Sequence, residues 1–136
     1  MALNEAVISF TMAGYGFNPD DITEIVGLEP TTIINGNSRQ GENNPVISSW
    51  EFSSAKSVDD DIDVYYMTRM LIKQIEPAKD NIITAIERYS LVPKILIKLV
   101  ISKDEDEAIP DIGISTRNIR FLAELGAFVN VDIKKR

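Results

Sequence analysis

The stretch Lys94-Ile95-Leu96-Ile97-Lys98-Leu99-Val100-Ile101-Ser102 decides the fold. Ile95, Ile97, Leu99 and Ile101 fall on one side of an extended chain and Leu96, Lys98 and Val100 on the other, the period of two that marks a strand. Both sides are mostly apolar, so the spacing predicts a central strand of a sheet. Upstream, the acidic run Asp59-Asp60-Asp61 precedes Ile62, Tyr65, Tyr66, Met70, Leu71 and Ile75. Their three- and four-residue spacings predict a long amphipathic helix with acids at its positive end. Pro77 lacks an N–H and disfavours helical geometry at Glu76, so the helix must kink or restart there. Ile82, Ile83, Ile86 and Tyr89 then give the second helix of a pair running from about Ile62 to Tyr89.

Nearer the N-terminus, Ala6, Ile8, Phe10 and Met12 alternate with Ser9 and Thr11 in a half-buried strand that Gly14 and Gly16 end. Asn18-Pro19-Asp20-Asp21 reads as a cap, a proline at the first helical position and acids on the helix dipole. The short helix buries Ile22, Ile25 and Val26 and closes at Gly27. Thr31 to Ile34 and Val46 to Ser53 are the strands of a hairpin, joined by a long polar loop from Gly36 to Asn44 that carries Arg39. Downstream of the central strand, Asp104, Glu105, Asp106 and Glu107 form an acidic loop and Ile112 to Ile114 a short strand. Ser115 caps a helix built on Ile119, Leu122 and Leu125 that stops at Gly126. In a last strand, Val129, Val131 and Ile133 alternate with Phe128, Asn130 and Asp132 before the basic end Lys134-Lys135-Arg136.

The order β-α-β-β-α-β-β-α-β predicts an α+β fold. Its form is a ferredoxin-like β-α-β-β-α-β core extended by a C-terminal β-α-β, with helices packed on a mostly antiparallel sheet. At 136 residues and 15.2 kDa, residues 1–136 are expected to make a single α+β domain. Apolar residues are 44% of the chain, enough to exclude disorder throughout.

Composition excludes more chemistry than the motifs suggest. With no Cys and no His, disulfides, thiolate nucleophiles, imidazole bases, Ser-His-Asp and Cys-His machinery and zinc sites all fall away. The net charge of −7 and pI near 4.6 are a poor match to a phosphate backbone and suit a basic partner. No nucleic acid is expected. No apolar run approaches the roughly 18 residues of a membrane helix, and the first residues lack the basic region of a secretory signal. The expectation is a cytoplasmic protein that does not engage a membrane.

Gly14-Tyr15-Gly16 lies between a strand and a helix where a dinucleotide fingerprint would lie. The third glycine position is Pro19, and Asp20 and Asp21 would repel a phosphate, so turn geometry is the reading. Asp59, Asp61 and Asp63 match the opening of a calcium loop, yet Val64 stands where glycine is needed and Met70 where a bidentate glutamate is needed. No cofactor, metal site or catalytic residue is expected, and no motif sets two carboxylates across a cleft as acid and base. Trp50 is the only tryptophan, read as core packing with a ligand or partner contact as the alternative. Asp132, beside Asn130, requires a partner, solvent or a function, with Arg39 or a nearby lysine as its pair.

Three blocks carry a resemblance: Phe17-Asn18-Pro19-Asp20-Asp21-Ile22-Thr23; Val26-Gly27-Leu28-Glu29-Pro30-Thr31; and, after Gly36 and Trp50, the closing Leu125-Gly126-Ala127-Phe128-Val129-Asn130-Val131-Asp132. Together they resemble a bacterial family, the domain of unknown function numbered 4279, over nearly the whole chain. The resemblance implies a small bacterial cytoplasmic α+β protein with no assigned reaction. Some small acidic families of this kind are immunity proteins of toxin systems, which is analogy.

The leading expectation is therefore a non-catalytic protein-interaction domain, an immunity-type inhibitor of a basic protein toxin. Candidate contacts are Arg39, Trp50, Asp104, Glu105, Asp106, Glu107, Asn130 and Asp132. The alternative is a homo-oligomeric small-molecule-binding regulatory domain with a pocket near Trp50 and Asp132. A third reading is a homodimer whose open sheet edge is covered by its own copy.

Overall fold

The computed structural model describes residues 3–36, 46–102 and 109–136. Arg39 and Asp104 to Glu107 lie outside the described residues. The chain is α+β, with a mostly antiparallel six-stranded sheet. Strand β1 (Asn4–Tyr15) leads to α1 (Pro19–Val26), then β2 (Thr32–Ile34), β3 (Ile47–Ser53) and β4 (Ser57–Asp59). Helices α2 (Val64–Ile75) and α3 (Lys79–Tyr89) precede β5 (Val92–Ile101), and α4 (Thr116–Leu125) leads to β6 (Phe128–Lys135).

Local chemistry sets the helix ends as the sequence predicts. The Asn18 side chain accepts the Asp20 N–H at 3.0 Å, Pro19 opens α1, and Gly27 closes it at φ 82°, a left-handed geometry that favours glycine. The Pro77 restart is a single 3₁₀ turn, Glu76–Ala78, between α2 and α3. Ser115 caps α4 by accepting the Asn118 N–H at 3.3 Å.

The strand order is β2-β3-β1-β5-β6, and β4 pairs with the N-terminal part of β1 after β3 has paired with the rest. Antiparallel partners flank β1, whereas β5 and β6 run parallel across the α4 connection. The run from Ile95 to Ile101 is therefore an interior strand, as predicted. The alternation sorts the two sides of the sheet. Ala6, Ile8, Phe10 and Met12 from β1, Trp50 from β3, and Ile95, Ile97 and Leu99 from β5 are all buried and meet Leu71, Ile72, Ile75, Ile82 and Ile22 from the helices. The opposite face carries Glu51, Thr11 and Lys94 in one cross-strand row and Ser53, Ser9 and Leu96 in the next.

Three expectations are corrected. Ile112 to Ile114 is not a strand, so the parallel crossover starts from β5 itself and the predicted separate β-α-β extension is only α4 and β6. Its Gly113 lies beside the Tyr65 side chain of α2, where an added Cβ would meet the Tyr65 hydroxyl. Strand β4 has no counterpart among the predicted elements, because three residues carry too little periodicity and only pairing with β1 makes them a strand. Finally, α2 buries Val64, Thr68, Leu71, Ile72 and Ile75, so its inward stripe is rotated from the predicted one and Tyr65 and Tyr66 are both exposed. The Arg69 guanidinium lies 5.4 Å from the Tyr66 ring centre, which gives that exposed ring a cationic neighbour.

Candidate functional site

The aspartates before α2 are organised by the helix they precede. Asp63 is its cap and accepts the Tyr66 N–H at 3.0 Å. One turn earlier, Asp59 accepts the Asp61 N–H at 3.1 Å. That backbone donor, followed by hydrogen bonding from Asp60, holds the Asp59 carboxyl below its usual range. Asp60, Asp61 and Asp63 line a groove of about 530 Å³ together with Ile62, Tyr65, Ile109, Pro110 and Asp111. Among the described residues, no basic side chain lines it.

Two of the lining side chains are apolar and wet: Tyr65 is 48% exposed and Ile109 66%. Four carboxyl groups beside an exposed ring and an aliphatic side chain suit a lysine or arginine, whose stem packs on apolar surface while its charged head meets carboxylate. Among the described residues, no group of acidic side chains has the spacing to hold a metal ion. The acidic loop residues Asp104 to Glu107 closely precede Ile109 in the chain and lie outside the described residues.

Cationic side chains gather elsewhere. Arg69 and Lys73 of α2 and Arg117 of α4 line a separate cleft of about 250 Å³ together with Glu76 and Asn118. Acids partly match them: Arg117 lies 3.4 Å from Glu76, and Lys79 is paired with Glu124, which raises the Lys79 pKa.

Of the residues singled out from the sequence, the described ones, Trp50, Asn130 and Asp132, do not form one site. Trp50 is fully buried, and its indole N–H donates to the Thr23 hydroxyl at 3.0 Å, tying β3 to α1. Its ring is enclosed in the core, 0% exposed. Asp132 lies beside Lys98 in the β5–β6 register, and Asn130 beside Leu96, on the face of the sheet that the helices leave open. Trp50 shares the other face with Met12, and β1 and β5 separate its strand from β6. The sheet thus stands between Trp50 and Asp132. Lys98 is the nearby lysine in register with Asp132, whereas Arg39 lies outside the described residues.

Sequence reasoning missed every residue of the acidic groove as a contact: it reads Asp60, Asp61 and Asp63 as the acidic start of a helix and does not single out Ile109 and Asp111. It assigned Tyr65 to the buried stripe, and nothing local signals that residues 109–111 fold back beside α2. The one available clue was Gly113, where a small residue permits that close approach.

No curated protein and no solved structure matches the chain. A family model does: it is described as a domain of unknown function, numbered 4279, and it matches residues 4–135, so the chain belongs to that family.

Proposed function

We propose that this protein is a non-catalytic interaction domain whose acidic groove beside α2 receives a basic protein, as an immunity-type inhibitor in a bacterial cytoplasm would. The observation that carries the reading is the groove itself: Asp60, Asp61, Asp63 and Asp111 converge beside exposed Tyr65 and Ile109, with no lining cation among the described residues. A net charge of −7 adds long-range attraction for such a partner. The finer architecture belongs with this proposal. The order β2-β3-β1-β5 with antiparallel neighbours supports a ferredoxin-like core, to which β6 adds a parallel edge.

The test is native mass spectrometry of the protein recovered from its host at low salt, alongside a D60N/D61N/D111N variant. The expected result is a protein-sized mass increment from a basic partner, weakened as added salt shortens the Debye length to roughly 8 Å and lost in the variant. An increment that the variant retains overturns the groove, and an increment of a few hundred daltons favours the small-molecule alternative.

A further inference from the structure

Among the described residues, β6 is the long open edge of the sheet: β5 pairs with one side of it and no strand with the other. Eight residues, Phe128–Lys135, hold extended geometry there. From Phe128 to Ile133 the run has no proline, glycine or lysine to discourage further pairing. The Arg136 N–H donates to the Ile101 carbonyl at 3.1 Å. By the alternation of a ladder, even-numbered residues of β6 then bond toward β5, and the N–H and C=O groups of Val129, Val131 and Ile133 point outward. The side chains of the same three residues are in register with Ile95, Ile97 and Leu99 on the helix side of the sheet, yet they are exposed. Helix α4 packs on α2 and α3, and its Ile119 is exposed as well.

We propose that a second copy of this chain covers this edge, its β6 pairing antiparallel with the first about a two-fold axis at Val131. Val131 then opposes its own copy as a hydrogen-bonded pair, and Val129 opposes Ile133 on both sides of the axis. Six β-branched side chains close into one strip across the seam. On the opposite face the Asn130 amide meets the Asp132 carboxylate, donor to acceptor, and Phe128 meets the Lys134 ammonium. Moving the axis to Asp132 sets two carboxylates against each other. Moving it to Ile133 sets Lys135 against Val131 and shortens the ladder. This self-complementarity selects a second copy over an unrelated strand. Residues 128 to 134 pair across the seam, which at about 3.4 Å per residue is roughly 24 Å long, smaller than a standard interface, so the dimer dissociates on dilution.

Because the chain has no cysteine, single-cysteine variants read the register directly. Under mild oxidation of the full chain, V131C is expected to give a disulfide-linked dimer. N130C and I133C, offset from their own copies by two and four residues of register, are expected to stay monomeric. Sedimentation equilibrium of the unaltered chain should approach twice 15.2 kDa at high concentration. V131K, which opposes two ammonium groups, should be monomeric with unchanged fluorescence from buried Trp50. Dominant cross-linking of N130C or I133C overturns the proposal, as does a monomeric unaltered chain at about 1 mM.

Discussion

Strands β5 and β6 lie side by side in parallel register and carry nearly the same alternation, yet their helix-side residues have opposite fates. Ile97 is completely buried, and its register partner Val131 is 39% exposed. The period of two assigns each side chain to a face of the sheet in both strands. What removes Ile97 from water is β1 on one side, β6 on the other and the helices above. Among the described residues, Val131 has a strand on one side only.

Substitution on the two strands should break the comparison if it is wrong. Ile97→Ala is expected to cost about 2–5 kcal/mol through lost transfer energy and a cavity. Val131→Ala in dilute solution should cost less than about 1 kcal/mol. Urea unfolding of both variants below the dimer concentration checks this, and equal losses would mean that β6 is as enclosed as β5. Next in size is Asn4→Ala. Its side chain accepts the buried Ser102 N–H at 2.8 Å at the C-terminal end of β5, so the change should cost about 1–3 kcal/mol. Faster exchange of the Ser102 amide, with β6 amides unaffected, would localise the loss.

A smaller effect of opposite sign tests the seal over the buried face. The Thr68 hydroxyl on α2 is buried without a hydrogen-bond partner among the described residues. Thr68→Val keeps the shape and removes an unsatisfied group, so it should stabilise the chain by about 1 kcal/mol. A loss of stability would show that the hydroxyl has a partner in solution.

The smallest effect concerns the end of β6. Arg136 donates to the Leu3 carbonyl at 2.9 Å and lies 2.9 Å from Glu5, with Lys56 3.2 Å from the same carboxylate. The Arg136 hydrogen bond, then that of Lys56, lowers the Glu5 pKa. A carboxyl depressed on folding contributes stability that is present above its unfolded value, about 4.3, and is lost as pH falls through the lowered folded value. Glu5→Gln should flatten that acid limb, measured as the melting temperature between neutral and acidic pH, with added salt diminishing the difference.

The same contrast between local pattern and tertiary neighbours separates the features that are legible in the sequence from those that are not. Asn18-Pro19 and Gly27 bound α1, Pro77 interrupts the helix pair, and Ser115 opens α4, because caps and prolines act within one turn of chain. The interior place of Ile95 to Ile101 is legible because both of its sides are apolar. Strand β4 and the segment 112–114 are not, since one exists through its pairing with β1 and the other is irregular chain that lies beside Tyr65 of α2. The candidate groove is half visible. Its aspartates stand out as a run, while Ile109 and Asp111 reach it only because the chain after β5 returns to α2.

By itself the sequence determined the elements with strong local signals, the α+β class, and the chemistry that the absence of Cys and His excludes, because each depends on neighbours along the chain or on composition. Tertiary structure alone decided that Trp50 and Asp132 stand on opposite faces, that Tyr65 and Tyr66 meet solvent, and that one of two similar strands became an edge. Those outcomes depend on which strands pair and which helices lie above them, and burial is a property of that arrangement rather than of any residue's own pattern.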